Sequence, residues 1–226
     1  MKRSFRAVFF DLDNTLVDFS EVKETACRAA AEAMVKAGLQ MSTEEAYRRL
    51  MEKYFTVGIE SDIAFSEFLK SEGQFNHKIL AAAINAYLEA KSKWLKPYPK
   101  VKTVLERLKK KGVFLAVVTD APKTKAYQRL LGMGIEQYFR FVVGFEDTES
   151  LKDSGLPLAL ALEILKNELP DITNSEILIV GDSVERDILP GKRAGLKTAL
   201  SKYGQKLSVS AAPDYELADI IDLLGI

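Results

Sequence analysis

The sequence predicts an α/β protein: a parallel sheet packed by helices, with an all-helical segment inserted into it. Three observations carry this expectation. Ala7–Phe10 is a short run, apolar on both faces, as a fully buried strand is. From about Ser20 to Trp94 only helical periodicity is present. Beyond that, apolar β-branched runs alternate with helical ones, which is the grammar of parallel strands joined by crossovers.

Each element follows from local pattern. Arg6 to Asp11 reads as the first strand. "SEVKETACRAAAEAMVKAG" is a helix with Ser20 as expected N-cap and Gly38 just past its end. "STEEAYRRLMEKYF" opens with a capping box, Ser42 and Glu45. "SDIAFSEFLKSEG" and "NHKILAAAINAYLEAKSKWL" are two further helices, and "KPYP" (96–99) breaks the run. Then follow a helix in "VKTVLERLKKKG", a strand in "VFLAVVTD", a helix in "KTKAYQRLLGMG" and a strand in "FRFVVG". "LPLALALEILKNEL" is a helix, "EILIVGD" a strand, "ERDILPGKRAG" a helix, "LKTAL" a short strand and "YELADIIDLLGI" a terminal helix. The first strand therefore belongs with residues 96–226, and residues 17–95 form a helical insert. Placed there, the insert hangs over the C-terminal ends of the strands, the edge at which open parallel sheets bind ligands.

Composition limits the function classes. The 226 residues are 47% hydrophobic and 28% charged, enough for a substantial core. Lys+Arg and Asp+Glu both number 32, so no dominant basic surface for nucleic acid or membrane is expected. One cysteine, Cys27, excludes an intrachain disulfide. No segment resembles a signal peptide, and no apolar run approaches the roughly 20 residues that span a bilayer. These features predict a cytoplasmic protein; monomer and homodimer both stay open, because they carry no signal for oligomeric state. His77 reads as a surface or helix-start residue, Cys27 as a small packing residue, and Trp94 and Tyr98 as core.

The first strand ends in two aspartates, Asp11 and Asp13, spaced so that both face the same way. Two close carboxylates repel, and a cation relieves them. A second buried strand ends in "GDSVERD", carrying Asp182 and Asp187. If both strands are central, the acidic tips converge on one crevice whose oxygens suit Mg²⁺. Thr119, at the end of "VVTD", offers a hydroxyl, and Lys152 an ammonium. Carboxylates, a metal, a hydroxyl and an ammonium together make a phosphoryl-transfer site.

These four motifs, each at a strand end and in this order, resemble those of the haloacid dehalogenase-like (HAD) hydrolase superfamily. "DLDNTL" is similar to its DxDx[TV] signature, "VVTD" to its Thr/Ser motif, Lys152 to its basic motif and "GDSVERD" to its GDxxxxD motif. The resemblance implies a three-layer, Rossmann-like core (1–16 and 96–226) whose parallel sheet has the order 5-4-1-2-3, with a helical cap at 17–95. It implies a phosphatase in which Asp11 is the nucleophile and Asp13 the general acid and base. Mg²⁺ would be held by the Asp11 carboxylate, the Asp13 carbonyl and Asp182, with Asp187 either binding it directly or supporting those that do. Thr119 and Lys152 would bind the phosphoryl oxygens, with Asp120 at the edge of the substrate site, and Thr15 would orient Asp13 or shape the turn. The implied substrate is a small phosphorylated metabolite.

Two departures stand out. The family's loop usually reads Lys-Pro-x-Pro after the basic residue, where this chain has "KDSGLP", so a less rigid loop is expected. Position 120 is often Asn. Asp120 would repel an anion unless a lysine pairs with it, Lys123 and Lys125 being the candidates. A catalytically weak phospholigand-binding relative is therefore an alternative. A 2-haloacid dehalogenase is another. It lacks the second aspartate of the first motif, because displacing halide needs no protonated leaving group, so Asp13 speaks against it.

Overall fold

The computed structural model describes residues 5–204 and 212–226. They form two compact units, Met1–Asp18 with Lys96–Ile226, and Phe19–Leu95.

In the first unit, β1 (Ala7–Phe10) is buried along its whole length because parallel neighbours flank it on both sides. These are β2 (Phe114–Val118) and β4 (Ile177–Gly181). β3 (Val142–Val143) adds to β2, and β5 (Lys197–Ser201) to β4. With a sixth strand, β6 (Tyr215–Leu217), beside β5, the full order is β3-β2-β1-β4-β5-β6, all parallel. Read from the other edge, the first five strands have the expected order 5-4-1-2-3. The sixth corrects the sequence reading: Tyr215–Leu217, expected within a terminal helix, is the edge strand β6, and only Ile220–Leu224 after it is helical, as a 3₁₀ segment. Asp219 caps that segment by accepting from the Ile221 amide at 3.0 Å, so the helix starts too late to include the tyrosine.

Helices cover both faces of the sheet. Ala7, Phe9, Ala116, Ile177 and Ile179 pack on one face with Leu158, Ala161 and Leu165 of α7 (Leu156–Glu168). By alternation Val8, Phe10, Leu115 and Val117 point to the other face and are as fully buried. The remaining helices of this unit are α5 (Val101–Lys110), α6 (Lys123–Met133) and α8 (Leu189–Arg193), the last preceded by a π-helical turn, Val184–Ile188.

The second unit is all helical: α1 (Phe19–Ala37), α2 (Thr43–Val57), α3 (Ala64–Ser71) and α4 (His77–Trp94). Ala26, Cys27, Ala30 and Ala31 let α1 lie close against its neighbours, and Leu50, Tyr54, Phe68, Leu69 and Ile79 fill the rest of the core. Cys27 is a buried packing residue and His77 begins α4 behind an Asn76 cap. Only half of the expected capping box forms. Ser42 accepts from the Glu45 amide at 3.2 Å, but the Glu45 carboxylate turns to Arg48 and Arg49. α1 begins at Phe19, so Asp18 and not Ser20 precedes it. Trp94, expected in the core, is 46% exposed at the last position of α4, whereas Tyr98 packs edge-on against Tyr203.

Candidate active site

Strand register brings the predicted residues together. Phe10 lies opposite both Val117 and Val180, so the residues just beyond β1, β2 and β4 lie at nearly one level. These residues are Asp11, Thr119 and Asp182. The Asp11 amide donates to the Val180 carbonyl at 2.8 Å, extending the ladder by one residue and fixing the backbone of the proposed nucleophile.

Lys152 reaches the same place from a 3₁₀ turn, Lys152–Ser154. Its ammonium donates to Asp11 Oδ1 at 2.5 Å and to Asp187 Oδ1 at 2.6 Å, and all three side chains are buried. Burial alone would lower the Lys152 pKa, but the Asp11 and Asp187 charges outweigh it and raise it, so the group is a permanent cation. Thr15 donates to Asp11 Oδ2 at 3.3 Å and lies 3.4 Å from the Ser201 hydroxyl. Thr15 therefore orients Asp11, and not Asp13 as expected. Asp187 Oδ2 accepts from the Ser183 amide at 3.1 Å.

Asp11, Asp182 and Asp187 each place a carboxylate oxygen within 4.8 Å of the others. Burial first, then the Asp11 charge, pushes the Asp182 carboxyl up to about 8. Burial pushes the Asp187 carboxyl up as well, against the pull of Lys152. Lys152 thus compensates the cluster only in part. An all-oxygen, acid-rich set with surplus negative charge fits a hard divalent cation such as Mg²⁺. Asp13 does not bring its carboxylate to this set.

The Asp13 carboxylate instead forms an ion pair with Arg129 of α6, Nε to Oδ1 3.2 Å. Arg129 is the largest fully buried side chain among the described residues, and its burial beside a carboxylate follows from the cost of an unpaired interior charge. The sequence signal was present: Ala126, Arg129, Leu130 and Met133 share the buried stripe of α6, with an arginine where an apolar residue is expected.

Thr119 is 2% exposed, and its hydroxyl accepts from the Ala121 amide at 3.2 Å, leaving its proton available to an anion. Asp120 does not pair with either suggested lysine. Its Oδ1 accepts from the Lys152 amide at 2.8 Å, and its Oδ2 lies 3.5 Å from Arg186. Lys123 pairs with Asp147 at 2.8 Å.

Gly181 explains itself sterically. A Cβ there would lie 2.1 Å from Asp187 Cγ, so only glycine lets that carboxylate turn in toward Lys152. Gly181→Ala is therefore expected to cost about 1–3 kcal/mol or more through overpacking. It should also displace Asp187 from the carboxylate cluster, so that any affinity of the cluster for a divalent cation falls; denaturant melts and metal titration measure the two effects together.

Among the described residues no helix is long and apolar enough to cross a membrane. A model described as haloacid dehalogenase-like hydrolase matches residues 8–201. The chain is 30% identical over 231 residues to a glyceraldehyde 3-phosphate phosphatase of Pyrococcus furiosus, covering 99% of this chain and 93% of that protein. It is 34% identical over 221 residues to a phosphoglycolate phosphatase of Aquifex aeolicus, covering 98% and 96%. A HAD-hydrolase of Bacillus subtilis, solved bound to magnesium, superposes with a TM-score of 0.70 at 22% identity, covering 98% and 97%. With its strand order, its strand-end acids and this match along most of its length, the chain belongs to the haloacid dehalogenase-like hydrolase family.

Proposed function

We propose that this protein is a Mg²⁺-dependent phosphatase that hydrolyses a small phosphomonoester through an aspartyl-phosphate on Asp11. The observation that carries the reading is the Lys152 ammonium held between Asp11 and Asp187 at the tip of the central strand, within a cluster of three carboxylates. Phosphatase relatives with 30% and 34% identity along nearly the whole chain support it.

Asp11, Asp182, Asp187 and the Asp13 carbonyl would hold the metal. Once bound, the metal would offset charge on the phosphoryl oxygens and on the carboxylates that hold it. An Asp11 oxygen attacks phosphorus while the bond to the ester oxygen breaks. For this Asp13 must take up a proton despite its ion pair with Arg129; it gives that proton to the leaving oxygen, then takes one from the water that attacks the aspartyl-phosphate and frees inorganic phosphate. Lys152 and Thr119 hold the phosphoryl oxygens through both steps. The helical unit Phe19–Leu95, which interrupts the chain shortly after Asp13, would act as a cap that excludes water and selects the organic half of the substrate. The relatives' names make two- and three-carbon phosphoesters the first candidates.

The test is inorganic phosphate release from a panel including glyceraldehyde 3-phosphate and phosphoglycolate, with Mg²⁺ and with chelator, beside halide release from 2-haloacids. Mg²⁺-dependent phosphate release with no halide release is the expected result. Halide release without phosphate release overturns it in favour of the dehalogenase.

A further inference from the structure

We propose that Asp120 is a positioning residue that sets Lys152 on Asp11 by tying the backbone of the lysine turn to the end of β2. This rests on the phosphatase reading for its kinetic consequence, though not for its structural one.

Lys152 has a demanding task. Its ammonium sits between two carboxylates at 2.5 and 2.6 Å at the end of a flexible four-carbon stem. That geometry holds only if the Lys152 backbone is itself held. Within the turn Ser154 donates to the Leu151 carbonyl at 2.6 Å and Arg193 donates to the Asp153 carbonyl, but neither reaches the Lys152 amide, Leu151 gives no side-chain cap, and Gly155 ends the turn in a left-handed conformation at φ 83°. The Lys152 amide is an unpaired donor at the start of that turn, of the kind a helix start leaves open. Asp120 Oδ1 takes it at 2.8 Å from across the site, as a capping carboxylate would from within the chain. Its other oxygen faces Arg186 at 3.5 Å, on the π-helical turn that also carries Asp187. One carboxylate therefore joins the end of β2, the turn bearing Lys152 and the turn bearing Asp187. With both oxygens directed to protein donors, Asp120 need not present its charge to an anionic substrate.

The test compares Asp120→Ala with Asp120→Asn, which keeps an acceptor for the Lys152 amide. Misplacing a catalytic group by an ångström costs about 10²-fold, so Asp120→Ala should lower kcat/KM by about 10–100-fold, in kcat as well as KM, with the melting temperature little changed. Hydrogen exchange at residues 151–155 should quicken in Asp120→Ala, and Asp120→Asn should restore both rate and protection. Unchanged kcat/KM in Asp120→Ala, or equal damage in the two variants, overturns the proposal. Should the wild type release no phosphate from any ester, the phosphatase reading fails and exchange alone decides this one. Lost protection in Asp120→Ala with recovery in Asp120→Asn then supports the anchor, and unchanged protection refutes it.

Discussion

Asp11→Asn is expected to reduce turnover by at least about 10⁴-fold while leaving the fold intact, because an amide is too weak a nucleophile to form the acyl-phosphate. The substitution is nearly isosteric, and Asn Oδ1 can still accept from Lys152 or Thr15. Asp13→Asn should behave differently. Phosphoryl transfer to Asp11 needs a proton at the leaving oxygen, so alkyl phosphates should slow by about 10²–10⁴-fold. With p-nitrophenyl phosphate, whose leaving oxygen needs little protonation, the first step should survive and the second stall. Intact-protein mass spectrometry should then show a species heavier by one phosphoryl group in Asp13→Asn and none in Asp11→Asn. Substantial turnover in Asp11→Asn would sink the covalent mechanism.

Lys152→Met is expected to have the largest effect on stability. Lys152 is 3% exposed, and its ammonium is shared by Asp11 and Asp187, with Asp182 close by. Removing one partner of a buried ionic cluster costs about 3–5 kcal/mol, because the remaining carboxylates stay buried with their repulsion uncompensated. The pH dependence has a definite sign. The Asp182 carboxyl lies above its ordinary value, pushed up to about 8 by burial and the Asp11 charge, and that of Asp187 is raised by burial. A raised carboxyl binds a proton in the folded state that the unfolded chain has already lost. Its contribution is therefore full below about pH 4 and is lost as pH rises through the folded value, reversing the usual aspartate pattern. Lys152→Met removes the charge that holds Asp187 down, so its melting temperature should fall more steeply than that of the wild type from pH 5 to about pH 8. If the proposed metal site forms, Mg²⁺ should recover part of the loss at high pH, since only the folded state gathers the ionised carboxylates that would hold it. Scanning calorimetry at the two pH values, with and without Mg²⁺, checks this. Equal slopes for variant and wild type would mean that Lys152 does not compensate the cluster.

Much of the fold was legible because its signals are local. The central strands of the α/β unit are short apolar runs, and the helical segment keeps its period from α1 to α4. The misread element, the C-terminal segment, is a short edge strand followed by a 3₁₀ turn. Its apolar residues, Leu217, Ile220 and Leu223, fit a helical spacing as well as they fit what is there. Trp94 was misplaced because a helix's last turn can point to solvent whatever its sequence.

The sequence by itself determined which acids stand at strand ends, since apolar runs place the residues that follow them. An oxygen-rich site with a lysine was implied by the resemblance of its motifs to those of the family, provided the strands proved central. Pairing across long chain separations was decided only by tertiary structure. That Lys152 bridges Asp11 and Asp187, that Asp120 holds the Lys152 amide and that Arg129 lies buried against Asp13 all depend on register and loop path. The reason is physical: side-chain type and spacing encode burial and local backbone. A hydrogen bond between residues 32 or 141 positions apart exists only once the sheet has brought its strand ends to one level.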